Sequence, residues 1–223
     1  MGPKQNVIGL GTSDLDRLMD VERRAFIPSI QTTEEIIRKR LSQEHVYLGV
    51  EVESELVGTL ALRFAKFTPD FLDFTRRNPT FDEYAERRNE GDANAVFVYS
   101  LGIIPSHRNG TNAKNLLQGA FNIAKQKIID FLVGDARVPS YNGSRENPQY
   151  EQFDTNEELH KAVDEYFKTG TLPPRSLIER DPVAGFYLRV FPDGKVLGIT
   201  DERFWRGDKP CGGHMIIEYL KLK

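Results

Sequence analysis

Residues Arg108, Asn109, Gly110, Thr111, Asn112 and Ala113 place a guanidinium ahead of a run of small or turn-prone side chains. Small residues let a ligand come close to the main chain, and these types favour turns. If a helix starts here, its first turn leaves four backbone N–H groups without intrahelical acceptors and carries the positive end of the helix dipole. That is the chemistry of a phosphate cradle. An ordinary strand-to-helix connection has the same outline, so the turn alone does not define a site. Two other phosphate-binding patterns are absent: the sequence contains neither a G-x-x-x-x-G-K-[ST] loop nor a G-x-G-x-x-G between a strand and a helix, which argues against P-loop and dinucleotide-binding folds.

The flanking residues supply the strand and the helix. Residues 96–104 are apolar and β-branched with one Gly, bounded by Asn94 and Pro105, and read as a buried strand. After the polar turn 106–112, apolar residues return at Ala113, Leu116, Leu117, Ala120, Ile123, Ala124 and Ile128, the spacing of one helical face.

This stretch resembles the central motif of the GNAT superfamily of acyl-CoA-dependent N-acetyltransferases. There a strand of the form L-x-[VI]-x-P leads to a basic or Gln residue, then x-x-G-x-[GA], then a helix opening on a Leu pair. Leu101, Ile103, Pro105, Arg108, Ala113, Leu116 and Leu117 fall in that register, and Thr111 stands where the family has its first Gly. The resemblance implies that main-chain groups of Leu101 and Ile103 line the pantetheine arm of acetyl-CoA (coenzyme A) and that amides from Asn109 to Ala113, including Gly110, Thr111 and Asn112, hold its pyrophosphate. If the site needs a positive φ at 111, a β-branched Thr111 is strained there; if it needs only a small residue, the hydroxyl adds a donor.

A narrower resemblance covers the rest of the chain. GNAT domains fused to nitrilase-type carbon–nitrogen hydrolases have a segment like G-x-R-[IM]-P-G-Y, then a polar insertion with a helix containing E-Y, then D-P-x-L-x-F-x-L-x-x-G-F. This chain has Arg137, Val138, Pro139, Ser140 and Tyr141, then Asp164, Glu165 and Tyr166, then Asp181 and Pro182 through Phe186, Tyr187 and Leu188. The hydrolase half is absent from these 223 residues. The segment at Arg137 also has a structural reading, with Pro139 ending a strand and Tyr141 packing under the insertion.

In many GNAT enzymes a Tyr at the position of Tyr187 protonates the departing thiolate of coenzyme A, a role suited to a phenol of pKa ~10. Tyr187 also belongs to a stripe with Ala184, Leu188 and Phe191, the spacing of a core face. The transfer further needs the amine deprotonated. Asp135, Glu51 and Glu53 are candidates, and each also reads as a surface charge. His107 and His214 have no partners at metal-ligand spacing, and no metal is expected.

The remaining elements follow from pattern. A strand is expected at 7–10 and a helix from Leu15 to Ala25, capped by Thr12, Ser13 or Asp14. A second helix is expected after Thr32 or Thr33, with Arg38, Lys39 and Arg40 forming a solvated end. A hairpin spans 47–53 and 56–64. Between 66 and 92, Phe67, Phe71, Phe74, Phe81 and Tyr84 alternate with charges. This insertion reads as an extra helix against the sheet, or as a flap or homodimer contact. A strand at 131–133 leads to a second insertion, 142–180, with a helix over 157–167, and Asp181 with Pro182 opens a short helix to about 190. Strands at 195–200 and 215–222 enclose a loop whose Asp201, Glu202, Phe204, Trp205, Arg206 and Asp208 suit either a cationic amine beside an aromatic wall or a plain surface.

Composition narrows the class. With 30 Lys and Arg against 33 Asp and Glu, the net charge of −3 gives no field that argues for nucleic acid or membrane binding. The single cysteine, Cys211, rules out an internal disulfide framework. Without a basic-then-apolar leader or a run of 18 apolar residues, a cytoplasmic protein is expected. The expectation is therefore one α/β domain over 1–223, a mixed, centrally splayed β-sheet flanked by helices with two insertions. Its implied activity is transfer of acetyl from acetyl-CoA to a small-molecule or peptide amine. The alternative is a degenerate domain that binds acyl-CoA as a sensor or partner-binding module.

Overall fold

Among the described residues seven strands are interspersed with helices, as expected of a mixed α/β chain. The computed structural model describes residues 5–68, 85, 87–108, 110–141, 155–200, 211 and 214–223. The chain divides into two compact units, one of Met1–Phe67, Ala85–Leu132 and Leu222–Lys223, the other of Thr68–Tyr84 and Val133–Lys221.

In the first unit, strands β1 (Gln5–Leu10), β2 (Val46–Val52), β3 (Glu55–Ala65) and β4 (Ala95–Ile103) form an antiparallel meander. Helix α1 (Leu15–Ala25) buries Leu15, Leu18, Val21 and Ala25 of the apolar residues that the sequence spaces along one face, while Met19, the fifth of them, is only half-buried. Helix α2 (Glu34–Ser42) begins where Thr33 accepts from the Ile36 amide at 3.3 Å. The turn between β2 and β3 is two residues long, and both Glu53 (φ 51°) and Ser54 (φ 74°) are left-handed, the geometry that matches the twist of a tight hairpin.

The basic end of α2 departs from expectation. Arg38 is exposed and pairs with Glu34, but Arg40 is 1% exposed and lies 5.0 Å over the Tyr99 ring. Three residues from the buried Ile37, Arg40 shares that residue's inward face, and stacking on an aromatic ring compensates its burial. Beside it, His45 Nε2 donates to the Arg87 carbonyl at 2.7 Å, so Nδ1 accepts from the Tyr99 hydroxyl at 2.9 Å. Burial pushes this imidazole down to about 4. Of the aromatic insertion, Phe67 packs on Phe131 at 5.1 Å between ring centroids; Phe71, Phe74, Phe81 and Tyr84 lie outside the described residues.

In the second unit the sheet order is β5 (Phe131–Arg137), β7 (Met215–Lys221), β6 (Lys195–Ile199), with β6 and β7 antiparallel. Strand β5 runs past the expected end at Val133, because Ala136 and Val138 continue the alternation into the core. Helix α3 (Thr111–Gln126) belongs to the first unit. Helices α4 (Glu157–Thr169), α5 (Arg175–Ile178) and α6 (Ala184–Val190) belong to the second. Its core joins Leu159 and Val163 of α4, Ile178 of α5 and Leu188 of α6 to Ala136, Val138 and Ile216 of the strands.

The left-handed turn generates a stability prediction. Ser54→Gly removes the cost of holding a side chain at positive φ and stabilises the protein by about 1 kcal/mol; a denaturant midpoint that does not rise contradicts the hairpin geometry.

Candidate functional site

Strand β4 ends at Ile103, and Ile104, Pro105 and His107 turn the chain before α3. Gly110 stands at the helix N-cap with φ 79°, and its carbonyl accepts the first helical bond from the Lys114 amide at 3.0 Å. The positive φ falls at Gly110 and not at Thr111, which resolves the expected strain: Thr111 is the first residue of α3. Gly110, as the N-cap residue, supplies no capping side chain of its own. The amides of Thr111, Asn112 and Ala113 therefore occupy the first turn, where a helix offers donors to an anion.

Two side chains hold the turn in shape. Asn112 is buried and donates Nδ2 to the His107 carbonyl at 3.0 Å. Arg108 donates Nε to the Ile103 carbonyl at 2.9 Å and Nη2 to the Ala25 carbonyl at 2.8 Å, so its cation sits at the carbonyl end of α1, where positive charge is favoured. Close approach of α1 to β4 explains Gly102: a Cβ there would meet the Phe26 ring at 2.6 Å. Strand β4 carries a bulge against β3, with Ala61 opposite Ser100 and Leu62 opposite Val98. That leaves Tyr99 as the extra residue, a device that re-aims the strand ahead of Leu101 and Ile103. Asn109 lies outside the described residues.

The other candidates divide between the two units. Glu51 of β2 is ion-paired to Arg17, and Glu53 sits in the hairpin turn; both belong to the first unit. His107 closes the turn below Asn112. His214, in the second unit, is buried with Nδ1 donating to the Thr200 carbonyl at 2.9 Å and its ring edge-on to Tyr141 at 5.2 Å. Among the described residues no group of three or more His, Cys, Asp or Glu is placed to hold a metal ion. The loop with Asp201, Glu202, Phe204, Trp205, Arg206 and Asp208 falls outside the described residues.

Tyr187 lies on α6, half-buried against the core of the second unit. Burial first, then the charges of Asp135 and Glu218, push its phenol well above the usual range, with Arg137 opposing them. Asp135 is 6% exposed rather than a surface charge, its Oδ2 makes no hydrogen bond, and burial holds its carboxyl well above the usual carboxylate range. Glu218 of β7 was not singled out from sequence. Its one signal is a lone charge inside the apolar run 215–220, and burial raises its carboxyl too.

What aims α6 is Asp181. This fully buried carboxylate accepts from the Val183 and Ala184 amides, each at 2.9 Å, and from both the amide and the hydroxyl of Ser140. It thus caps the helix that carries Tyr187 and ties it to the chain leaving β5.

No family model matches the chain. The uncharacterized N-acetyltransferase YkwB of Bacillus subtilis is 20% identical over 134 residues, which take in 58% of this chain and 59% of that protein, less than two thirds of its length. Among solved structures, GphF, a GNAT-like decarboxylase in complex with isobutyryl-CoA, matches with a TM-score of 0.69 at 20% identity over 98% of this chain and 100% of that one. The loading GNATL domain of CurA from Lyngbya majuscula also gives 0.69, at 14% identity over 98% of each chain. This chain has the GNAT fold. The mixed α/β sheet flanked by helices that the sequence led us to expect is the architecture it forms. No helix among the described residues is long and apolar enough to cross a membrane.

Three substitutions test this local architecture. Gly110→Val meets open space, so its expected cost of about 1–2 kcal/mol is that of the left-handed backbone alone, and Gly110→Asn should recover much of it in a melting experiment. Asp181→Ala leaves several buried donors unmet and should destabilise by at least about 2–3 kcal/mol; a loss under ~1 kcal/mol would remove Asp181 from its role in fixing α6.

Proposed function

We propose that residues 1–223 act as one acyl-CoA-dependent N-acyltransferase domain, transferring acetyl from acetyl-CoA to a primary amine on a small molecule or peptide. The observation that carries this reading is the bulged strand, the Gly110 turn and the α3 N-terminus that opens on it, set in a fold whose solved examples include one in complex with isobutyryl-CoA. The name of the YkwB relative points the same way. In this reading the main chain of Leu101 and Ile103 lines the pantetheine arm, and the amides from Asn109 through Gly110, Thr111, Asn112 and Ala113 hold the pyrophosphate. Arg108 acts by fixing the turn, since two of its donors are engaged by main-chain carbonyls.

Tyr187 is the proton donor to the departing thiolate in this proposal. Its raised phenol remains protonated at neutral pH, which suits hydrogen-bond donation and makes it a weaker acid than a free phenol. The order of the segments at Arg137–Tyr141, Asp164–Tyr166 and Asp181–Leu188 supports kinship with GNAT domains fused to nitrilase-type hydrolases. The proposed setting is cytoplasmic, with no nucleic-acid or membrane partner and with homodimerisation as a further possibility for the aromatic insertion. A second reading, binding of acyl-CoA without turnover, draws support from the weakened acidity of Tyr187.

Thermal unfolding with and without acetyl-CoA separates these readings from a chain that binds no coenzyme. At 100 times its Kd the ligand adds about 2.7 kcal/mol and raises the midpoint by about 5–10 °C. Thiol release should then follow with some amine and fall in Tyr187→Phe; binding with no turnover across a broad amine panel favours the sensor. A carboxylated acyl-CoA belongs in the donor panel, because GphF is described as a decarboxylase.

A further inference from the structure

Strands β1 and β6 stand at the two ends of the strand order, and they are protected differently. A strand at a sheet edge leaves the N–H and C=O groups of alternate residues without a ladder partner, and natural edges are blunted by short length, charge, proline or a bulge. In the second unit β6 has such protection: it is five residues long, opens on the exposed Lys195 and is bulged between Val196 and Gly198. In the first unit β1 has none. Its six residues, Gln5–Leu10, include no charge and no proline, and they pair with β2 in unbroken register. Among the described strands β2 is its only neighbour, and Asn6, Val7 and Gly9 are exposed.

The helix beside this edge continues the pattern. Asn115 Nδ2 donates to Gln5 Oε1 at 2.9 Å, and a Cβ on Gly119 would lie 3.5 Å from Val7 Cγ1, so α3 lies against β1 on the face that carries Gln5 and Val7. On the solvent side of Gly119, Gln118 and Asn122 are exposed, and Gln118 Nε2 donates to Asn122 Oδ1 at 3.2 Å. At about 100° per residue the lysines of this helix, Lys114 and Lys125, fall beyond Gln118 and away from the strand. In a chain with 28% charged residues, an exposed strand edge and adjoining helix rim that hold only apolar and amide side chains lack the usual barrier to self-pairing.

We propose that β1 is the contact between two copies of this chain, joined as an antiparallel β1–β1 pair about a two-fold axis normal to the sheet. Charge selects a second copy over an unrelated strand. A two-fold axis sets groups close to their own kind, so a charged rim would repel itself, whereas Asn and Gln side chains both donate and accept and can bond their own copies. The axis also keeps each sheet face on its own side, so a residue pairs only with one on the same face. Val7 then meets Val7 of the second copy, Gln5 meets Gly9, and the two α3 helices stand side by side at Asn115, Gln118 and Asn122. The contact uses neither the turn at Gly110 nor the aromatic insertion.

Sedimentation of the full chain across about 1–300 µM tests the proposal, a range suited to an interface at the small end of the size scale. The weight-average mass should rise from one chain to two. V7K sets two ammonium groups together at the axis and should raise the dissociation constant at least about tenfold, while E35K, at an exposed site on α2, leaves it unchanged. Because the contact carries no charge, the constant should move less than about threefold between about 50 and 500 mM salt. Melting separates a failed fold from a failed contact: where V7K does not melt as wild type does, N122K on the helix surface is read in its place. A chain that stays monomeric to the highest concentration overturns the proposal, and any strand that covers β1 then comes from another protein. A dimer that V7K and N122K leave intact, or one that salt disperses, overturns it as well.

Discussion

The second unit depends on one buried carboxylate. Asp181 has no exposed surface, and its two oxygens meet the Val183 and Ala184 amides on one side and both donors of Ser140 on the other. Burial alone raises its carboxyl, while those hydrogen bonds pull the other way. One residue therefore caps α6 and fastens it to the chain leaving β5, and the direction in which Tyr187 points follows from that fastening. Neither a cap nor a strand-end bond would do this separately.

The first unit solves a similar problem with a cation. Arg108 joins the last carbonyl of β4 to the end of α1, and Gly102 lets Phe26 lie directly on the strand. With Asn112 holding the His107 carbonyl, the turn before α3 is defined from both ends by side chains that donate to main-chain carbonyls. At such a turn the main-chain amides and the helix dipole are what favour an anion.

The chemistry of the second unit is set by what is left without partners. Asp135 and Glu218 are buried too, at 6% and 7% exposure, yet each has an oxygen without a hydrogen bond among the described residues. Burial first, and then the charges of these two carboxyls, raise the phenol of Tyr187. A structure optimised for stability alone would replace such groups with apolar ones.

By itself the sequence determined the strand–turn–helix around Gly110, the α1 stripe, the hairpin after α2, the Asp181 helix start and the resemblance to the GNAT fold. These rest on periodicity, capping and turn chemistry, all local in the chain. It did not determine which charges are buried. Arg38 and Arg40 are two residues apart on one helix, and only packing against Tyr99 decides that Arg40 is interior. Asp135 and Asp181 look alike as single aspartates, and only the tertiary arrangement gives four donors to one and leaves an oxygen of the other without any. Burial and hydrogen-bond satisfaction depend on partners distant in sequence, here 41 residues apart for Ser140 and Asp181, and no local pattern encodes them.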